Sequence, residues 1–168
     1  TGETGPIVGE IGFSAFHTAL TVNNTETPIT GYDETAEGYY SGTGFSPVNG
    51  IFTVPESGKY AVSVTVNYST LAALTVGIGD ANPAVAVRRV APDVEDLLVG
   101  NFPILNLAVA PLSIRVVLGN GSFSINGELE LNQNDMIMLF YYPNDLSISL
   151  SLGGPDDAGI IWSMHKID

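Results

Sequence analysis

Between residues 59 and 68 the chain alternates without a fault. Tyr60, Val62, Val64, Val66 and Tyr68 fall on one side, Lys59, Ala61, Ser63, Thr65 and Asn67 on the other. Period-two alternation of this length predicts a strand with one face buried. Residues 11–22 predict a first strand with Phe13, Ala15, His17 and Ala19 on one face. Residues 84–90 predict another. In residues 101–118, Pro103 and Pro111 interrupt the pattern, which favours two broken strands over a helix. Residues 136–142 (MIMLFYY) are apolar without alternation, as expected of a strand buried on both sides. Leu146, Ile148, Leu150 and Leu152 alternate with serines, and residues 159–167 supply a closing strand.

The punctuation between these runs fits the same picture. Asn126-Gly127, inside residues 122–131, predicts a hairpin, because a type I′ turn needs positive φ at both central positions. Residues 23–46 are rich in Thr, Gly, Asn and acids and predict loops with a short strand. Residues 74–79 predict a brief strand closed by a turn at Asp80. Residues 92–96 read as a loop and residues 153–157 as a turn. No repeat, heptad or helical period intervenes, and the prediction is an all-β sandwich or barrel.

Composition narrows the function. Hydrophobic residues make up 45% of 168 and charged residues 14%, enough for one packed domain rather than a disordered chain. No run reaches the roughly 18 apolar residues of a membrane helix. Eighteen acids face five bases, for a net charge of −13. Nucleic acid and anionic membranes need a basic patch, so neither is expected as a partner. There is no cysteine, which excludes disulfides and thiolate zinc sites.

Residues 50–60, GIFTVPESGKY, set Gly50, Phe52, Pro55, Gly58 and Tyr60 in a strand–turn–strand frame. The spacing G-x-F-x-x-P-x-x-G-x-Y resembles the central signature of C1q/TNF-like head domains. Three further segments resemble the family: Gly12-Phe13-Ser14-Ala15, the aromatic Phe45, and residues 129–137, where Asn134 stands in place of a turn glycine. The match is poorer at Gly159-Ile160 and nearly absent over residues 81–121. The resemblance implies a jelly-roll β-sandwich of about ten antiparallel strands, assembled as a homotrimer. It also implies that strand 136–142 faces core on one side and partner subunits on the other.

Gly2 and Gly5 begin two Gly-x-y triplets directly ahead of this domain, and collagen needs glycine at every third residue. With the lack of cysteine, this is most similar to bacterial collagen-like surface proteins, such as the heads of Bacillus spore-surface glycoproteins. The expected organisation is the end of a collagen-like stalk at residues 1–7 and a C1q-like head at residues 8–168. The expected role is a non-catalytic trimerisation and recognition head, extracellular on a cell or spore surface, with a host protein or glycan as ligand. Two alternatives stay open: the receptor-binding head of a phage or viral fibre, and a glycan-active enzyme or its accessory module.

Chemical candidates are few. His17 and His165 lie near opposite ends of the sequence, on strands a jelly roll could pair, but no nucleophile motif accompanies them. The carboxylate pairs Asp33-Glu34, Glu95-Asp96 and Asp156-Asp157 are expected to be solvated loop charge rather than a glycosidase pair. Calcium is the cofactor to consider. Asp80 matches in place an acidic loop residue that some C1q-like members use for it. Trp162 and the tyrosines Tyr32, Tyr39, Tyr40, Tyr141 and Tyr142 are expected in the core or at subunit contacts. Arg88 and Arg89 are expected to pair with Glu95 or Asp96.

Overall fold

The computed structural model describes residues 11–70, 80–109, 112–153 and 159–168. The predicted strand at residues 74–79, the stalk residues 1–7 and the pair Asp156-Asp157 lie outside them. Among the described residues every regular element is a strand. In chain order these are β1 (Gly12–His17), β2 (Leu20–Val22), β3 (Thr27–Pro28), β4 (Phe45–Ser46), β5 (Ile51–Thr53), β6 (Gly58–Thr70) and β7 (Ala84–Ala91). Then follow β8 (Glu95–Asn101), β9 (Ile104–Val109), β10 (Leu112–Val117), β11 (Asn120–Leu131), β12 (Met136–Tyr142), β13 (Leu150–Leu152) and β14 (Ile160–Lys166).

They form two antiparallel sheets and a separate ribbon. The first sheet is built on the thirteen-residue β6. One edge of β6 pairs with β11 along its whole length. The other takes β14 opposite Tyr60–Val66 and then β13 opposite Tyr68–Thr70. Beyond these, β1 pairs with β14 and β2 with β13. Six strands thus lie in four ranks. The second sheet runs β4-β5-β12-β7-β8, with β3 on β12 beyond β5. The ribbon is β9–β10, whose strands pair, among the described residues, only with each other.

The core between the sheets is aromatic at both ends. Phe13 stacks on Phe45 at 4.0 Å between ring centroids, and the Trp162 ring meets both edge-on. Towards the other end, Phe102 contacts Tyr68, Phe123 and Tyr141. Tilted and edge-on contacts of this kind add roughly 1 kcal/mol each beyond the area buried.

The signature residues have separate physical reasons. Gly50 holds φ at 65°, and a Cβ there would lie 2.3 Å from the Ile29 carbonyl oxygen. Pro55 follows β5, where no ladder donor is needed. Its carbonyl accepts from Gln133 Nε2, and Val54 exchanges two backbone hydrogen bonds with Asn134 and Asp135. Asn134 adopts φ 73°, the left-handed conformation that asparagine tolerates almost as well as glycine. Buried Asp135 accepts from the Asn132 amide, and Arg89 Nη1 lies 3.7 Å from its carboxylate.

Several expectations need correction. Residues 122–131 are one strand, not a hairpin: β11 stays in register with β6 throughout, and neither Asn126 nor Gly127 has positive φ. Gly127 is there for close approach, since a Cβ would sit 3.0 Å from the Leu98 methyls. Residues 11–22 break at Thr18-Ala19, where the rank changes partner from β14 to β13, and Ala19 is exposed. In residues 146–152 only Leu150–Leu152 is a strand, because Pro143 to Leu146 closes a turn through Asn144 and Asp145 at positive φ. The 92–96 loop is shorter, as β8 begins at Glu95. The outer side of β12 is covered in part by this chain, with Met136 left 38% exposed and Phe140 half-buried. Met138 and Tyr142 are buried, and the Arg88 guanidinium lies 5.1 Å from the Phe140 ring centre and 5.6 Å from that of Tyr142.

Candidate assembly face

Strand register, rather than any single motif, assembles the most distinctive surface. On the outer side of the first sheet, Ser14, Ser163, Ser63 and Asn126 line up across the four ranks. Phe16, Ile161, Thr65 and Ser124 form the next row, and Thr21, Ser151, Ser69 and Asn120 form a third near the far end. None of these twelve side chains carries a charge, in a chain of net charge −13. The first acid enters with the row through Gly12, His165, Ala61 and Glu128, and Glu130 follows opposite Lys59. Charges gather beyond that row, where Lys59 lies 3.8 Å from Asp168 and Lys166 lies 3.8 Å from Glu56.

Apart from the facing pair Phe16 and Ile161, the sequence creates this face by pairing the polar half of each alternation with another polar half. The buried halves are Phe13 and Ala15, Trp162 and Met164, Val62, Val64 and Val66, and Ile125. Small hydroxyls and amides can be withdrawn from water against like groups, whereas clustered carboxylates would repel and resist desolvation. The face is therefore suited to burial against another uncharged surface.

The two histidines do not approach each other. β1 and β14 are neighbours, but their antiparallel register sets Gly12 opposite His165 and His17 opposite Ile160, so the histidines occupy opposite ends. His17 is buried, and its Nε2 lies 3.0 Å from the Thr30 carbonyl, which makes that nitrogen the donor. Burial lowers its pKa against the raising effect of this hydrogen bond, and the ring stays neutral at neutral pH. His165 is on the outer face, with Nε2 2.5 Å from the Tyr40 hydroxyl. Tyr40 also joins Ser14 through two backbone hydrogen bonds. Residue spacing gave no hint of that link.

The other candidates are dispersed. Asp80 is exposed in the turn ahead of β7, and among the described residues no three His, Asp or Glu side chains converge as metal ligands. Asp33 accepts hydrogen bonds from the Thr35 amide and hydroxyl, which lower its pKa. With Glu34, Tyr32, Tyr39 and Tyr40 it lines a recess of about 30 Å³, room for about one water. As expected, Arg89 pairs with Glu95 at 2.5 Å and Arg88 with Asp96 at 3.5 Å. Tyr142 donates to Asp96, and burial together with that carboxylate pushes its hydroxyl pKa well up. Burial pushes Tyr141 up to about 12. Trp162, Tyr32, Tyr141 and Tyr142 are buried, and Tyr40 is 46% exposed.

The layout can be matched to solved structures. The Eiger TNF structure from S. frugiperda shares 15% identity with this chain, covering 95% of it and 94% of the Eiger chain, at a TM-score of 0.59. This chain has the TNF-like jelly-roll fold. Murine APRIL at pH 5.0 aligns with 14% identity over 94% of this chain and 99% of its own, at a TM-score of 0.56. The pH 8.5 form of murine APRIL gives 12% identity and a TM-score of 0.53. No family model and no curated protein sequence matches. The TNF-like jelly roll agrees with the resemblance carried by Gly50, Phe52, Pro55, Gly58 and Tyr60. Among the described residues no helix is long and apolar enough to cross a membrane.

Proposed function

We propose that this chain is a non-catalytic head that trimerises through the uncharged outer face of the β1/β2–β14/β13–β6–β11 sheet and presents its remaining surface for recognition. The observation that carries the reading is the set of twelve uncharged side chains aligned across that face in so acidic a chain. The TNF-like jelly roll supports it, as does the residue-level resemblance to C1q/TNF-like heads. The setting belongs to the same proposal: residues 1–7 close a collagen-like stalk, residues 8–168 form the head, and the protein is displayed extracellularly on a bacterial cell or spore surface. Three heads held about an axis would keep three stalk chains in register for triple-helix nucleation. Calcium at exposed Asp80 completes the proposal, tested by isothermal titration of wild type against Asp80→Asn.

Sedimentation equilibrium of the purified chain at micromolar concentration tests the assembly. The expected mass is three times 17.6 kDa. A monomer across that range would overturn the trimeric head.

A further inference from the structure

From Leu97 to Gly127 the chain carries no acidic residue and a single cation, Arg115, although eighteen acids are spread through the remainder. This stretch begins within β8, runs through the β9–β10 ribbon and ends within β11. β8 and β11 are the outermost strands of the two sheets, and they meet where Leu98 packs over Gly127 and Ile125 over Gly100. The ribbon emerges at that shared edge. Its root is packed, with Val116 and Val117 buried and Ile104 against the core. Further along, Leu105 and Leu107 stand on one face of β9, opposite Val116 and Ile114 of β10, and are 41% and 45% exposed. Val99 on β8 is 54% exposed.

A two-stranded ribbon is marginal in water unless its apolar face packs on something. Among the described residues β9 and β10 pair with no third strand. The ribbon also continues through Gly119 into β11, whose outer side chains are the last file of the uncharged face. Gly119 is tied to β6 by the Thr70 amide, which donates to its carbonyl. We infer that the β9–β10 ribbon is an arm that packs its Leu105/Leu107 face on a second copy of this chain. The inference rests on the trimeric reading and adds to it the segment that reaches across. The choice of a second copy follows from charge. Copies that each carry −13 can meet closely only where acids are absent, and the acid-free arm and the uncharged sheet face are contiguous in each chain.

Sedimentation equilibrium of the full chain and of the L105S/L107S variant separates the two layers. If wild type is a trimer and the variant, with an unchanged far-UV spectrum and melting temperature, dissociates about 100-fold more readily, the arm is supported. If the variant trimer is as tight as wild type, the arm is overturned and the trimeric head stands. A wild-type monomer overturns both. Hydrogen exchange on wild type needs no variant. Ribbon amides protected in the trimer and fast after dilution to monomer support the arm, and equal rates in both states overturn it.

Discussion

The two sheets turn very different outer faces to their surroundings. On the second sheet the outer row of β12 is bulky, and the chain covers it from within. Arg88 lies across Phe140 and Tyr142 while Asp96 holds both Arg88 and the Tyr142 hydroxyl. On the first sheet the outer rows are serine, threonine and asparagine around the apolar pair Phe16 and Ile161, and none of these side chains is charged. A face covered in this way offers less apolar surface to a partner, with Met136 its exposed end. A face kept uncharged in an acidic protein is the one that associates in the function proposed above, and the self-covered face is the one that does not.

The sharpest way to break the comparison is to charge the flat face. Ser63→Glu with Ser163→Glu places two neighbouring acids at its centre, and six in a trimer. The variant is expected to weaken association by about 100-fold or more while the monomer keeps its melting temperature within a few degrees, checked by sedimentation and circular dichroism. Equal charges on the second sheet, at Ala86 for instance, would destabilise the fold instead, because that position is fully buried.

Arg88→Ala tests the self-closing face. It removes the cation over two rings and leaves Asp96 beside an unprotected Tyr142. A loss of about 2 kcal/mol in urea unfolding is expected, with oligomeric mass unchanged. A mass change would show that this face also associates.

Alkaline titration gives the next effect. The hydroxyls of Tyr141 and Tyr142 are raised above the unfolded value of 10. The folded state therefore binds these protons more tightly, so stability is complete below pH 10 and falls as pH rises from 10 towards 12. Urea midpoints at pH 8 to 11.5 should show the decline, and Tyr142→Phe should make it shallower.

The smallest effect is on the acid side. The His17 pKa is lowered, so its contribution is intact above the unfolded value of 6.5 and fades as pH falls below it. Replacing His17 with Gln should flatten the pH dependence of the urea midpoint between pH 7 and 5.

Much of the frame was legible where the backbone makes special demands. Gly50, Pro55 and Asn134 announced themselves because few residues tolerate those conformations, and the alternation of β6 fixed its buried side. Asn126-Gly127 misled for an equally physical reason. A glycine can signal a turn or a close approach, and only the Leu98 side chain decides between them. The flat face was half legible. Each strand shows its polar side, but that the polar sides align into one uncharged field depends on register, which the separate strands do not encode. The acid-free stretch from Leu97 to Gly127 was visible in the composition all along, hidden because charge was counted over the whole chain.

One topological detail governs the timing of folding. β14 is inserted between β1 and β6, although roughly a hundred residues separate it from β6 in sequence. Among the described residues β1 has no other strand partner, only the single bridge from Tyr40. While the chain is being synthesised, β1 and β6 must therefore wait with unpaired edges, exposed to chaperones and to each other's copies, until β14 arrives between them. The uncharged face spans this last-filled rank, so it comes into existence only on a finished head.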